Sequence, residues 1–347
     1  MKVLYAIQGT GNGHISRAGE IIPVLKNYCD VEILISGNYS DIHLEHQVSY
    51  RLKGLSFKFD GNGQIDIQAT IKHLNFKRFS DEIRSLPVTN YDLIINDFEP
   101  VSAWAALIRN VPCYSLSHQS AVIDFNSPKP IMPNFTGWFI LNFFAPAITK
   151  YGFHFESYNK NIFTPVIRSQ VREQVPVNDG HYTVYLPSYA DHVLYELLSR
   201  FFNVKWEVFS KTCKEAYKIN NVKFIPIDNK QFIQSMAHSA GIICNAGFET
   251  PAEALYLGKK LLVIPIKSQY EQFCNAESLK QLGVPVLKSL SHKQINKISD
   301  WIMNDATIRY DYPDITADII RTIIEKFISQ NPHYYPGKLL SLKSLRS

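Results

Sequence analysis

Cysteines are few in this sequence, and none of them forms part of a CxxC motif. The five are Cys29, Cys113, Cys213, Cys244 and Cys274, an odd number at wide spacings. A disulfide framework or a cysteine-based zinc site is signalled by even numbers or close spacings of cysteines. The sequence therefore predicts neither, and a reducing cytoplasm is the simplest compartment for it.

The sequence also lacks an apolar run long enough to cross a membrane. Met1 and Lys2 are followed at once by a strand-like run, so no secretory signal is predicted. The most apolar later stretch, residues 138–148, is interrupted by Asn142 and Pro146 and is shorter than the roughly 20 residues of a spanning helix. We expect a cytoplasmic protein. Two alternatives stay open for this stretch and the basic tail at 338–347: peripheral contact with the inner face of the membrane, or core packing and a frayed terminus.

Charge of one sign is not in large excess. The chain has 36 Lys and Arg against 31 Asp and Glu, a formal net charge of +5, and its basic residues are dispersed. Nucleic acid is therefore not a predicted partner. An anionic small molecule such as a nucleotide diphosphate, or an acidic bilayer surface, is compatible with this charge.

What the sequence has in quantity is apolar surface. Hydrophobic residues make up 46% of the 347, and charged residues 19%. This composition predicts a globular protein with sizeable cores. Because a single core stops growing well below this length, we expect two domains.

Short β-branched runs alternate with longer amphipathic segments in both halves of the chain. This pattern is typical of parallel strands joined by helices and predicts an α/β fold. The expected strands are 3–8, 31–36, 93–96, 113–117, 183–186, 206–209, 223–225, 241–244, 260–264 and 285–287; the expected helices are 16–28, 71–86, 192–201, 230–238, 251–257, 271–282, 291–304 and 313–329. Prolines interrupt the pattern before Pro165, so we divide the chain into domains at 1–164 and 165–330 and a tail at 331–347.

A glycine-rich loop joins the first strand to the first helix. Gly11 and Gly13 let the backbone approach a ligand at a helix N-terminus, and His14 is placed to point into a cleft at the carboxyl edge of the sheet. His14 is either a general base or a residue that only caps or packs. A dinucleotide-binding fold would need an acidic residue at the end of the second strand, but that strand ends at Ser36, which weakens a dehydrogenase interpretation.

Polar side chains also follow the next two strands of the first half. Asp97 and Glu99 follow one strand, and His118 and Gln119 follow the other. Because parallel strands end at the same edge of a sheet, we expect these side chains to gather beside His14.

The strongest local pattern runs from Cys244 to Gly258 and joins a strand to a helix. Thr250 is predicted as the helix N-cap, with Pro251 at the first helical position and Glu253 completing a capping box. The loop before the helix consists of Asn245, Ala246 and Gly247. Its free N–H groups and the helix dipole would suit a diphosphate.

A second polar loop precedes a helix after the next strand. Gln269, Glu271 and Gln272 lie in it. They offer donors and acceptors for several hydroxyl groups, as recognition of a sugar requires, although such a run by itself is typical of a solvated helix start.

At these residues the sequence resembles the GT-B glycosyltransferases of family 28, the group that contains the GlcNAc transferase of peptidoglycan lipid-intermediate synthesis and the plant galactolipid synthases. The family's pattern of glycine, Thr-x-x-Glu-Ala, Gly-Lys, a proline-ended strand and Gln-x-x-Asn-Ala is present as Gly247, 250–254, Gly258-Lys259, Pro265 and 272–276; the first half matches more loosely, through His14, Asp97, His118-Gln119 and 164–168. The resemblance implies two Rossmann-like domains that face each other across a cleft. It places the acceptor side in domain 1–164 and the nucleotide-sugar donor in domain 165–330, with a last helix at about 313–329 crossing back.

The resemblance also implies roles for individual residues. His14 and Asp97 would be catalytic, with His14 deprotonating or orienting the acceptor hydroxyl, and the acceptor side of the cleft would hold Gly11, Gly13, Glu99, His118 and Gln119. On the donor side, residues 245–247 and Ser188 would contact the diphosphate and Glu253 the ribose, while Glu271 and Gln272, beside Gln269 and Thr250, would hold the sugar end.

The activity that the resemblance implies is transfer, with inversion, of a hexose-type sugar from a nucleotide diphosphate sugar, UDP-linked by preference, to a hydroxyl of a lipid or small-molecule acceptor. No Asp-x-Asp motif is present, so we expect no essential metal and no cofactor besides the sugar nucleotide, which is a substrate. Two alternatives remain. One is a nucleotide-sugar 2-epimerase of the same fold, and the other is a non-catalytic sugar-nucleotide-binding protein.

Overall fold

Each half of the chain is built around its own β-sheet in the computed structural model of the protein. The structure describes residues 1–37, 44–55, 75–132, 134–267 and 269–331. Within these residues, no helix is both long enough and apolar enough to cross a membrane.

Among the described residues, the first sheet has seven strands, and every pairing in it is parallel. The strands are β1 (Lys2–Gln8), β2 (Asp30–Ser36), β3 (Tyr50–Leu52), β4 (Leu93–Asp97), β5 (Cys113–Leu116), β6 (Thr149–Phe153) and β7 (Ile162–Phe163), in the order β3-β2-β1-β4-β5-β6-β7. Strands β1 and β4 are apolar on both faces because helices cover the sheet on both sides. The strand order reverses between β1 and β4, which opens a crevice at their carboxyl ends.

The helices of the first half and of the linker follow these strands. They are α1 (Asn12–Lys26), α2 (Phe76–Ser85), α3 (Pro100–Arg109), α4 (His118–Val122), α5 (Phe135–Phe143) and α6 (Ser169–Arg172), with a 3-10 turn at Val88–Asn90. Helix α1 buries Ile15, Ala18 and Ile22 on one face. Their helical spacing is what fixes the orientation of α1 on the sheet.

The second sheet has six strands and is parallel except at one edge. The strands are β8 (His181–Tyr185), β9 (Lys205–Ser210), β10 (Tyr217–Ile219), β11 (Val222–Pro226), β12 (Gly241–Asn245) and β13 (Lys260–Ile264), in the order β10-β11-β9-β8-β12-β13. Strand β10 pairs antiparallel with β11. The order reverses between β8 and β12, so a second crevice lies at the ends of these two strands.

The remaining helices surround the second sheet or return to the first. They are α7 (Asp191–Leu198), α8 (Asn229–His238), α9 (Glu249–Tyr256), α10 (Tyr270–Gln281), α11 (Ile295–Met303) and α12 (Thr316–Gln330), with a 3-10 turn at His292–Gln294. Helix α12 packs against α1 of the first half. The ring of Phe327 on α12 meets the edge of Tyr114 on β5 at 6.2 Å between centroids.

The predicted α/β fold is confirmed, but two local predictions are wrong and two others fall partly or mostly outside the described residues. Helix α9 begins at Glu249, one residue before Thr250, and has no side-chain cap, so the predicted capping box does not form. The expected strand at 285–287 is a single bridge between Val263 and Val286. Residues 71–74 of the expected helix at 71–86, and the tail from 332 onward, lie outside the described residues.

Helix α5 packs closely on α10, and a glycine makes the approach possible. A Cβ built on Gly137 would lie 2.3 Å from the Cβ of Tyr270, far inside contact distance. The same interface buries Leu141 and Phe144 of α5 against Tyr270 and Cys274. Gly137 therefore sets the distance between the two helices.

We predict that Gly137→Ala lowers the free energy of unfolding by about 1–3 kcal/mol, because the added methyl group must push α5 and α10 apart. Urea unfolding of the two proteins would measure the difference. The matched control is Gly19→Ala on α1, where nothing lies within 4 Å of the added Cβ; there we expect a gain of about 0.5–1 kcal/mol from the higher helix propensity of alanine. Equal stability of Gly137→Ala and the wild type would contradict the close packing.

Candidate functional site

The crevice of the first sheet holds a histidine and an aspartate in contact. His14 lies in the first turn of α1, directly after β1, and Asp97 is the last residue of the neighbouring strand β4. The Nδ1 atom of His14 is 2.8 Å from Oδ1 of Asp97. The prediction that these two side chains meet at one sheet edge matches this geometry, and the reversal of strand order is its cause.

A buried arginine holds the aspartate from its other side. Arg17 follows His14 by three residues, so both side chains lie on one face of α1. Its Nη2 atom donates to both oxygens of Asp97 at 2.8 Å, and its Nε atom donates to Oδ2 at 3.2 Å. Asp97 is fully buried and Arg17 is 2% exposed, so both charges are removed from water.

Asp97 and Arg17 each stabilise the charged form of the other. Burial alone would raise the pKa of the Asp97 carboxyl, but Arg17 and His14 outweigh burial and hold that pKa below its ordinary value. Burial would likewise lower the pKa of Arg17, and the carboxylates of Asp97 and Glu249 outweigh it and raise that pKa. Asp97 is thus an anion, and His14 Nδ1 donates to it, which leaves Nε2 of His14 as the basic nitrogen.

Arg17 also reaches across to the second half of the chain. Its Nη1 atom donates to Oε1 of Glu249, the first residue of α9. The Glu249 carboxylate lies against the backbone of Gly13, where a built Cβ would be 2.4 Å from Oε2. One guanidinium therefore joins a carboxylate from each half of the chain, and the glycine at position 13 leaves room for the second in its present place.

Further contacts close the two halves around the same edge. The Nε2 amide of Gln119 donates to Glu271 Oε2 at 2.9 Å and lies 3.5 Å from Nε2 of His14. His118 is buried, with its ring nitrogens 2.8 Å from the carbonyl oxygen of Phe153 and from Oδ1 of Asn275. It bridges the halves, whereas Gln119 and Glu271 adjoin His14.

Glu99, which was predicted to face the cleft, does not. Its carboxylate is the N-cap of α3 and accepts from the N–H groups of Val101 at 2.8 Å and Ser102 at 2.6 Å, and from Ser36 Oγ at 2.5 Å. It is fully buried, and burial raises its pKa. The correction has a simple cause, since Pro100 starts a helix and the preceding acidic residue is drawn to the unpaired N–H groups.

Glu253 is also placed differently from its predicted capping position. Its carboxylate is 2% exposed and accepts from Arg168 Nε at 2.5 Å and from Arg168 Nη2 at 2.7 Å. Arg168 lies in the linker before α6 and donates in addition to Asn229 on α8. This bidentate pair ties the linker to the donor-side helices.

The other predicted donor-side residues follow the ends of β8, β12 and β13. Nδ2 of Asn245, at the end of β12, donates to the carbonyl of Ile264, at the end of β13, at 2.9 Å. The same atom is 3.5 Å from Oγ of Ser188, which follows β8, so Asn245 links the ends of the two strands that border the crevice. Ala246 is buried. Gln272 accepts from the N–H of Ile266 and donates to Gln269, so these two glutamines organise the loop before α10.

A large cleft of about 980 Å³ lies between the halves. The helix N-termini that line it include that of α1, with Gly11 and Gly13, and that of α9, with Gly247 and Thr250. The other walls are formed by the linker and by the strand ends of the second sheet, including Arg168, Tyr185, Phe209, Lys211 and Phe232. Two positive helix ends that face one cavity favour an anionic ligand.

In the described part of the chain, no three His, Cys, Asp or Glu side chains lie together in a group that could hold a metal ion.

Three residues of this region were missed by the sequence interpretation. Arg17 had a usable signal, since it lies three positions after His14 on a helix. Glu249 is adjacent to the predicted Thr250, and Arg168 lies in the linker that carried the loose match. Their partners are 232 and 85 positions away along the chain, so the pairings themselves leave no local pattern.

Comparisons with known proteins agree with this fold. The family model described as Glycosyl transferase family 1 matches residues 1–304. No curated protein matches the sequence.

Among solved structures, MurG of Acinetobacter baumannii has a TM-score of 0.57 at 15% identity, covering 93% of this chain and 99% of that one. UGT2 of Phytolacca americana, complexed with UDP-2-fluoro-glucose and pterostilbene, has a TM-score of 0.55 at 12% identity, covering 99% and 97%. The spinosyn rhamnosyltransferase SpnG has a TM-score of 0.55 at 11% identity, covering both chains fully, 100% and 100%. These similarities confirm the predicted GT-B fold.

We predict that Asp97→Asn lowers the free energy of unfolding at pH 7 by about 3–5 kcal/mol, because it removes a buried counterion of Arg17. The folded-state pKa of Asp97 lies below its ordinary value of 3.8, so its contribution is complete above pH 3.8 and is lost as the pH falls through the folded-state value. Urea unfolding of both proteins from pH 7 downward should show the difference shrinking at the acid end.

The control for this variant is Asp179→Asn. Asp179 is 60% exposed and pairs with His238, so we expect a change below about 1 kcal/mol. If Asp97→Asn behaved like this surface variant, the buried pair would not have the role assigned to it.

Proposed function

The chain belongs to glycosyl transferase family 1, and on this premise we propose that it transfers a hexose-type sugar, with inversion, from a UDP-sugar to a hydroxyl group of a lipid or small-molecule acceptor. The observation that carries the proposal is the His14–Asp97 contact in the first turn of α1, the helix whose N-terminal residues Gly11 and Gly13 line the large cleft. A base for the acceptor and positive groups for the leaving diphosphate are the two requirements of a direct displacement.

His14 is the proposed general base. Asp97 accepts the Nδ1 proton and fixes the ring, so Nε2 can take the proton of the acceptor hydroxyl. As the acceptor oxygen forms its bond to the anomeric carbon, the bond from that carbon to the diphosphate oxygen breaks, and the proton passes to His14. The imidazolium that results is stabilised by Asp97.

The diphosphate leaves toward the N-terminus of α9. The loop at 245–247 and Thr250 place backbone N–H groups and a helix dipole there. The N-terminus of α1 at Gly11 and Gly13 adds a second dipole. These groups supply the charge stabilisation that a metal ion supplies in other transferases, so we propose that no metal and no cofactor is needed.

The nucleoside is proposed to lie at the carboxyl ends of the second sheet. Tyr185, Phe209 and Phe232 give the cleft an aromatic wall there, which suits a planar base. Glu253 stays the proposed partner of the ribose, although its carboxylate is 2% exposed and bound by Arg168, so it must be released by Arg168 to reach the ribose. The related UGT2 structure contains UDP-2-fluoro-glucose, which favours a UDP-sugar as donor.

The sugar itself is proposed to lie between the donor loops and His14. Glu271 is the residue of the second polar loop that contacts Gln119 beside His14. It can accept from sugar hydroxyls, while Gln269 and Gln272 shape the loop that carries it.

We predict that His14→Ala binds UDP within about twofold of the wild type but loses about 10²- to 10⁴-fold in kcat, the usual contribution of a general base. Calorimetry with UDP measures the binding. Release of UDP from UDP-glucose and UDP-GlcNAc, with a panel of lipid and small-molecule alcohols and with EDTA present, measures the turnover. The matched control is His292→Ala, since His292 is exposed and pairs with Glu196.

Three outcomes would contradict the proposal in different ways. No binding of UDP or UDP-sugars by the wild type would show that the proposed donor site is wrong. Full turnover by His14→Ala would show that His14 is not the general base. Conversion of the donor to an isomeric sugar nucleotide without any acceptor would identify an epimerase.

The acceptor side carries an exposed apolar surface. Helix α5 turns Phe135 and Phe139, 76% and 58% exposed, to solvent together with Trp138 and Phe143. The opposite face of α5 packs on α10 at Tyr270, whose neighbour Glu271 adjoins the His14 site. We therefore propose a lipid acceptor that reaches the site from a bilayer contacted by α5, in keeping with a peripheral, cytoplasmic enzyme.

We predict that the double variant Phe135→Ser/Phe139→Ser binds vesicles of phosphatidylglycerol and phosphatidylcholine at least about tenfold more weakly than the wild type, because two aromatic anchors are removed. Co-sedimentation measures the binding, and UDP calorimetry checks that the donor site is intact. Phe202→Ser is the matched control, since Phe202 is 78% exposed in the second half. Equal vesicle binding by all three proteins would argue against a bilayer-borne acceptor.

A further inference from the structure

The Glu249 carboxylate occupies the position where three positive groups of the cleft converge. Arg17 donates to it from the first half. It lies against Gly13 at the N-terminus of α1, and it belongs to the first turn of α9. Its side chain is 26% exposed and lines the cleft, whereas Arg17 behind it is 2% exposed.

These three groups are the ones that a diphosphate in the same cleft would need. Both helix dipoles favour an anion between them. Arg17 is the cation that directly contacts Glu249, and its Nη1 atom is directed to Glu249 while Nε and Nη2 stay on Asp97. A carboxylate left in place would repel a phosphate that approached the same dipoles.

We propose that Glu249 is a resting-state stand-in for a donor phosphate, and that the diphosphate displaces it from Arg17. Arg17 Nη1 then faces the phosphate, and Arg17 becomes the cation that neutralises the leaving group. This inference rests on the proposed function and adds to it a residue, Arg17, and a step of exchange between two anions.

The exchange links donor binding to the catalytic base. Arg17 holds Asp97 through Nε and Nη2 in either state, and Asp97 orients His14. Before the exchange Arg17 pairs with Asp97 and Glu249, and after it with Asp97 and the phosphate. Its buried charge therefore has two anionic partners in both states. Arg17 is thereby a positioning residue for His14 as well as a phosphate ligand.

The test uses ligands that differ in their phosphates. Glu249→Gln keeps the size of the side chain and removes the competing charge. We expect its Kd for UDP and for inorganic pyrophosphate to fall by about tenfold, the effect of removing one carboxylate from close to a phosphate. Its Kd for uridine, which has no phosphate, should not change. Calorimetry with the three ligands gives the comparison.

A matched control and a second variant keep the outcome clear. Glu277→Gln removes a carboxylate that is paired with Lys280 on the outer surface of α10 and should leave all three affinities unchanged. Arg17→Lys should weaken UDP by about tenfold and leave uridine unchanged, because lysine cannot hold Asp97 at two points and still reach the phosphate.

Two results would overturn the inference, and they are distinct. If the wild type binds UDP but Glu249→Gln binds it equally or more weakly, Glu249 does not occupy the place of a donor phosphate, whereas the proposed donor site is supported. If the wild type binds neither UDP nor uridine, the proposed function fails and takes the inference with it.

Discussion

The guanidinium of Arg17 is almost entirely removed from water, and its counterions come from both halves of the chain. An unpaired cation at that depth would be very costly, and in this structure Asp97 and Glu249 are the carboxylates that pair with it. Asp97 then fixes the ring of His14, and Glu249 brings the start of α9 against α1. The closed arrangement of the cleft and the orientation of the His14 ring in this structure thus depend on one buried charge.

Packing around this charge explains why the halves close in one arrangement. His118 stacks on Phe248 with 4.0 Å between ring centroids, and α5 meets α10 at a glycine. The bidentate pair of Arg168 and Glu253 ties the linker to α9. These contacts are directional or tightly fitted, so they tolerate few alternatives. A cleft bounded in this way can place a donor and an acceptor within reach of a single histidine.

The corrections share a physical cause. Glu99 was assigned to the cleft because it follows a strand, and Glu253 to a capping box because it lies three residues after Thr250. The first is indeed drawn to unpaired N–H groups and so is buried away from the cleft, whereas the second is drawn from the helix start to a stronger partner, the guanidinium of Arg168. Strands β3, β6, β7 and β10 were not predicted, and the three residues of β10 are all exposed and form no apolar run. Asn220 and Asn221 mark its turn in the sequence, and Asn220 adopts a positive φ of 51°.

Local sequence was sufficient for the α/β alternation, for the strand ends that carry His14 and Asp97, and for the glycine-bearing loops that start α1 and α9. Buried parallel strands and helix starts are encoded over short windows, and parallel strands end at one edge whatever their neighbours are. The tertiary structure alone decided which charges meet: Arg17 with Glu249, Arg168 with Glu253, and Gln119 with Glu271. Such pairs join residues far apart in the chain, and their partners are chosen by burial, where a charge accepts only the counterion that the fold brings within reach.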